Sequence, residues 1–189
     1  MALVDAVLAQ LSIDVIHVVP AAVPPLKAQP SAPPQHRLRM VELALGGREN
    51  VVVDGRELER AGTSYTVLTP ESIHEERPGS RLVLILGRDA FDSLPKWHRF
   101  EDLRALADIA VVNRPGFDDP GRLPGWLAGE TPATAVDPLA PPGRIIAVDM
   151  PPRDISATAL RRALAGHGRV EDMLPPAVLS YIREHHLYE

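Results

Sequence analysis

Three short segments combine residue types that could hold a phosphorylated molecule carrying a flat ring. The first is Asp154-Ile155-Ser156-Ala157-Thr158-Ala159-Leu160-Arg161. Ser156 and Thr158 offer hydroxyls, and a helix opening here adds unpaired backbone N–H groups and the positive end of its dipole. Arg161, one turn on, can bring its fork of donors to the same spot, which makes an anion site suited to phosphates. The same pattern also reads as an ordinary Asp or Ser helix cap beside a solvated arginine.

The second segment is Gly87-Arg88-Asp89, followed by Trp97. A glycine at a strand end lets a ligand approach the backbone. An aspartate there can accept hydrogen bonds from ribose hydroxyls, and a tryptophan can stack on an aromatic ring. The plainer alternative is a capping aspartate and a core tryptophan. The third segment is Thr63-Ser64-Tyr65-Thr66, whose hydroxyls and backbone could hold a polar ring substituent or simply cap a helix.

The elements that must position these residues alternate in type along the chain. Apolar residues at Leu3, Val4, Val7, Leu8 and Leu11 predict a helix over Ala2 to Leu11. Ile13 to Val19 predicts a buried strand, with His17 tolerated inside it. Gln35 to Leu45 predicts a helix closed by Gly46-Gly47, and Val51 to Val53 a strand. A helix capped by Ser64 should run towards Arg77, kinked or shortened by Pro70. Strands follow at Arg81 to Leu86, Ile109 to Val112 and Arg144 to Val148, and helices at Arg99 to Ala107, Thr158 to Ala165 and Pro176 to His186. This alternation predicts an α/β fold with a mostly parallel sheet, in which ligands bind beyond the carboxyl ends of the strands.

A chain of 189 residues suits one such domain, so residues 1–189 are expected to form a single unit. The formal net charge of −5 argues against binding along nucleic acid, which needs a basic footprint. The chain has no cysteine, which removes disulfides, thiolate metal sites and thiol catalysis. No apolar run approaches the roughly 20 residues of a membrane span, and the start lacks a basic signal region. A cytoplasmic location and no membrane partner are therefore expected, and no feature specifies an oligomeric state. Proline is over-used, at 20 residues, with six between Pro20 and Pro34 and seven between Pro115 and Pro142. Those stretches read as long surface loops.

Taken in order, these segments resemble the bacterial nicotinate-mononucleotide adenylyltransferases of the nucleotidyltransferase α/β superfamily. The matching stretches are Val23-Pro24-Pro25-Leu26-Lys27, Arg37-Leu38-Arg39-Met40-Val41, Ser64-Tyr65-Thr66, and Gly87-Arg88-Asp89 through Trp97. Arg114-Pro115-Gly116, Ile155-Ser156-Ala157-Thr158 through Arg161, and Tyr181-Ile182 to Leu187-Tyr188 complete the set. The resemblance implies a Rossmann-like fold and transfer of AMP from ATP to nicotinate mononucleotide, giving deamido-NAD and pyrophosphate. It implies that Ser156, Thr158 and Arg161 hold the ATP phosphates with Mg²⁺. Asp89 and Trp97 would contact the nucleotide ribose and nicotinate ring, and Thr66 the nicotinate carboxylate.

The family also begins with a strand and loop of the form Gly-x-Phe-x-Pro-x-His-x-Gly-His, which this sequence does not contain. Its first central strand is therefore expected to be missing, leaving a gap in the sheet, and an upstream segment is expected to supply the motif. Ala21 and Ala22 stand where the family usually has asparagine, and Leu26 where it has histidine. Two other readings follow: a nucleotide-binding paralogue impaired in catalysis, and another adenylyltransferase such as pantetheine-phosphate adenylyltransferase. His185-His186 reads as a solvated pair at a helix end, His74-Glu75-Glu76 as a solvated face, and His98 has no assigned role. Arg114, after a strand, could meet a phosphate or an internal carboxylate.

Overall fold

The computed structural model describes residues 2–22, 32–112, 123–150, 157–166 and 168–188. The elements are α1 (Ala2–Gln10), β1 (Ile16–Val18), α2 (Pro34–Leu45), β2 (Val51–Val53), α3 (Arg56–Glu59), α4 (Leu68–Glu76), β3 (Leu82–Gly87) and α5 (Arg88–Asp92). They continue with a 3₁₀ turn (Leu94–Lys96), α6 (Phe100–Leu106), β4 (Ala107–Val112), a second 3₁₀ turn (Gly125–Leu127), β5 (Ile145–Val148), α7 (Ala157–Ala165) and α8 (Pro176–Glu184). The chain divides into two compact units, one of Asp14–Ser64 with Asp154–Glu189, the other of Ala2–Ile13 with Tyr65–Arg153.

The second of these contains a three-stranded parallel sheet in the order β3-β4-β5. All six residues of the middle strand β4 are buried, which is why Ala107 to Val112 is almost continuously apolar. The register Gly87↔Val112↔Val148 aligns the carboxyl ends of the three strands. Val67, Leu86, Phe91, Leu94, Leu103, Ile109, Val111, Leu127 and Ile145 form its core, drawing on strands, helices and turns together. Helix α1 buries Val4 and Val7, and Gln10 bonds both ways with the Asp149 backbone just after β5.

In the other unit β1 and β2 pair in parallel, with His17 opposite Val52. Helices α2 and α8 pack together, and Val178, Ile182 and Leu187 bury against Met40, Leu43, Leu164 and Leu174. Among the described residues the five strands form two sheets, of order β1-β2 and β3-β4-β5.

Several boundaries differ from the sequence reading for local reasons. Strand β1 starts at Ile16 because the Ile13 N–H turns back to the Leu11 carbonyl at 2.9 Å. Ser64 caps nothing: α4 starts at Leu68 without a side-chain cap, and the Ser64 hydroxyl is buried with no hydrogen-bond partner. Pro70 consequently falls in the first turn of α4, where N–H groups lack helical partners anyway, so it neither kinks nor breaks the helix. Arg99 adopts φ 54° as the residue before α6, which trims the expected helix at its start. Helices α3 and α5 are short, carried by too few residues to show a periodicity.

Candidate functional site

Strand β3 delivers the chain to Gly87, whose extended backbone leads straight into α5. Space beside Gly87 is open, with no atom within 4 Å of where a Cβ would stand. Asp89 follows in the first turn of α5 and is exposed, a placement the helix dipole favours for a carboxylate. It is not the cap: that position is Gly87, and no side chain bonds there. Arg88 turns along its own helix, donating from Nε to Asp92 at 2.9 Å.

The buried pair Phe91 and Leu94 carries α5 into the 3₁₀ turn that Trp97 closes. The Trp97 backbone N–H donates to the Leu94 carbonyl at 2.9 Å, and its indole N–H to the Ser93 hydroxyl at 3.3 Å. The ring is half-buried against the core rather than enclosed by it. Thr66 lies in the turn ahead of α4, its carbonyl accepting from the Thr69 N–H at 3.1 Å. The neighbours of these two residues meet: the Tyr65 and His98 rings lie 4.1 Å apart with planes inclined at 31°. Thr66, Asp89 and Trp97 therefore share one unit, and the Tyr65–His98 contact ties two of their segments together.

Thr158 and Arg161 belong to the other unit, three residues apart on one face of α7, and both are exposed. They line an open groove of about 530 Å³ together with Arg162, Ala165, His186, Leu187 and Tyr188. Two arginines and a hydroxyl on one rim make this an anion-receptive surface. Ser156, Arg114, Leu26 and Lys27 lie outside the described residues.

Tyr188, in the ending that resembles the family, lines this groove. Burial pushes its phenol up, against the opposing pull of the Arg161 and Arg37 cations, so its hydroxyl remains a donor at neutral pH. Its backbone is left-handed at φ 71°, as is that of His186 at φ 49°. Arg37 also donates to the carbonyls of Ala21 and Ala22, holding the segment after β1. Those are backbone acceptors, so alanine supplies them as well as any residue would.

His17 is more than a tolerated strand histidine, with Nδ1 3.1 Å from an Asp54 oxygen that also accepts from Arg56 Nε at 2.7 Å. Burial alone would raise the Asp54 carboxyl, but the Arg56 backbone N–H, His17 and the Arg56 guanidinium outweigh it and hold the group below its ordinary value. His185 is not simply solvated either, for its ring packs 4.2 Å from Tyr181 and 5.0 Å from His36. Only the folded chain brings His17 to Asp54 and His36 to His185. No group of three carboxylates or histidines that could cage a metal occurs among the described residues.

The profile of the family described as Cytidylyltransferase-like matches residues 1–163. A Laribacter hongkongensis protein named "Probable nicotinate-nucleotide adenylyltransferase" is 43% identical over 183 residues, covering 95% of this chain and 83% of its own length. A Pseudomonas aeruginosa protein of the same name is 41% identical over 183 residues, covering 95% of this chain and 85% of its own. The chain belongs to the nicotinate-nucleotide adenylyltransferase family.

Solved structures agree on the fold of this family member. Plasmodium falciparum nicotinic acid mononucleotide adenylyltransferase, complexed with APC, superposes with a TM-score of 0.70 at 17% identity, covering 98% of this chain and 88% of its own. The same enzyme complexed with NaAD gives 0.69 at 16% identity, with the same coverage. The adenylyltransferase-family chain thus has the nucleotidyltransferase α/β architecture, and no described helix is long and apolar enough to cross a membrane.

Proposed function

We propose that this chain transfers AMP from ATP to nicotinate mononucleotide, forming deamido-NAD and pyrophosphate. The observation that carries this reading is the identity of about two residues in five, over nearly the whole chain, to relatives named for that reaction. In the reaction a phosphate oxygen of the mononucleotide attacks the α-phosphorus of ATP in line. The new P–O bond forms as the bond to the β-phosphate oxygen breaks, and pyrophosphate leaves. No protein nucleophile takes part, so the side chains contribute positioning and charge stabilisation.

The groove of α7 has a chemistry that suits a triphosphate. Arg161 offers a planar fork of donors and Thr158 a hydroxyl, with Ser156 two residues before it as a third contributor. Both described residues are solvent-facing and ready to exchange water for phosphate oxygens. Asp89, exposed beyond β3, suits the ribose hydroxyls of the acceptor, and the open face of Trp97 its pyridine ring. The Thr66 hydroxyl and backbone suit the ring's carboxylate.

A divalent cation, Mg²⁺, completes the proposal. Mg²⁺ would be carried on the triphosphate oxygens, keeping several of its waters. When bound, it neutralises charge on the triphosphate.

A pyrophosphate-release assay with ATP tests the reading by varying the acceptor. Release with nicotinate mononucleotide, and not with 4′-phosphopantetheine, supports it. The reverse preference makes the chain a different adenylyltransferase, and ATP binding without release to any acceptor makes it a nucleotide-binding relative without turnover.

A further inference from the structure

The corner that presents Trp97 and the segment that presents Thr66 pack on one core cluster and also meet directly in two ways. One is the Tyr65–His98 ring pair, at 4.1 Å between centroids and 31° between planes. The other is the ion pair of Arg99 with Glu71 at 2.7 Å. Arg99 also bonds Asp102 at 2.6 Å and sits in the left-handed region at φ 54°, so its corner is fixed in an uncommon conformation. The ion pair is between partly exposed side chains, which contribute little. Of these two contacts, the ring pair contributes more.

Each ring belongs to the immediate neighbour of a residue assigned to the acceptor: Tyr65 precedes Thr66, and His98 follows Trp97. The indole is already fixed from its other side by Leu94 and Ser93. The Tyr65 ring is anchored too, being packed on the core cluster beneath it. His98, by contrast, is exposed, and its ring lies against Tyr65.

We infer that the stack of His98 on Tyr65 sets the spacing between Thr66 and Trp97, making these two rings positioning residues for the pyridine ring of the acceptor. The inference rests on the proposed acceptor site. It concerns binding of the mononucleotide and not of ATP. An aromatic ring at position 98 suffices, because the stack uses the face of the imidazole and not its nitrogens.

Calorimetric titration of the full chain with nicotinate mononucleotide, and separately with ATP, tests it. His98→Leu should raise the mononucleotide Kd about fivefold, the range of one aromatic pair, and leave the ATP Kd within about twofold. His98→Phe and Tyr65→Phe, which keep the stack, should bind the mononucleotide within about twofold of the parent. Circular dichroism melts of each variant confirm that a folded protein is being titrated. Equal weakening for ATP and mononucleotide, or failure of His98→Phe to restore binding, overturns the inference. Trp97→Ala separates the two levels: if it weakens mononucleotide binding and His98→Leu does not, the stack has no positioning role while the acceptor site stands. If Trp97→Ala also leaves binding unchanged, the acceptor site itself is wrong.

Discussion

Arg81 forms a forked ion pair with Asp108, a carboxylate with no exposed surface at the start of β4. Arg81 Nε donates at 2.9 Å, and Nη2 reaches both carboxylate oxygens at 2.8 Å. The Arg144 backbone N–H adds a bond to the same carboxylate at 3.0 Å. Arg81 also donates to the carbonyls of Ala140 and Pro141. One buried pair thus joins the amino-terminal ends of three parallel strands, opposite the ends that carry Gly87 and Asp89.

Removing one partner of such a pair leaves a buried charge without compensation, which is far worse than lacking both. Asp108→Ala should destabilise the chain by about 3 kcal/mol or more, read as a lower urea midpoint. Nucleotide binding below the unfolding transition should be unaffected. A midpoint unchanged from the parent would show that Arg81 finds another partner and that the pair is not structural.

Asp54 gives a pH dependence of known sign. Its carboxyl is held below the ordinary value of 3.8, so the folded state favours the charged form. That contribution is complete at neutral pH, above the unfolded value, and is lost as pH falls through the depressed folded value. Asp54→Asn should therefore be less stable than the parent at pH 7. The difference should shrink below about pH 4, where the parent alone loses this contribution. Urea midpoints of both proteins between pH 7 and pH 3 check it, and a gap that widens in acid would refute the assignment.

On the α7 groove, Arg161→Ala removes the guanidinium donors that the proposed function assigns to the ATP phosphates. ATP binding should weaken on the order of tenfold or more, and Thr158→Ala should weaken it less, since a neutral hydroxyl contributes less. Both can be read by calorimetry. Inorganic tripolyphosphate should lose affinity in parallel, because the role proposed for these residues is to hold phosphate. Loss of ATP binding with tripolyphosphate unaffected would move Arg161 to the base or sugar.

Most of the framework was legible because burial writes itself into parallel strands. Leu82 to Leu86, Ala107 to Val112 and Ile145 to Val148 are short, largely apolar runs of the kind a parallel sheet calls for, and β4 is buried throughout. The segments carrying Asp89, Trp97, Thr158 and Arg161 could be picked out because each follows a strand or opens a helix. What stayed hidden depends on contacts between residues far apart in the chain. His98 looked featureless until Tyr65 stood beside it, and His17 until Asp54 did. Ser64 misled for the opposite reason: a serine four residues before a helix resembles a cap, but the helix starts too late to use it. Tyr188 acquired meaning only when the carboxyl-terminal turn met the side chain of Arg161.

The central claim is adenylyl transfer to nicotinate mononucleotide. Its most direct test is chromatographic detection of deamido-NAD, with pyrophosphate measured in the same reaction, after incubating the chain with ATP, Mg²⁺ and the mononucleotide. The account predicts the two products in equal amounts, both diminished by Arg161→Ala and by Trp97→Ala. Pyrophosphate formed without deamido-NAD, or equal product from both variants and the parent, would contradict it.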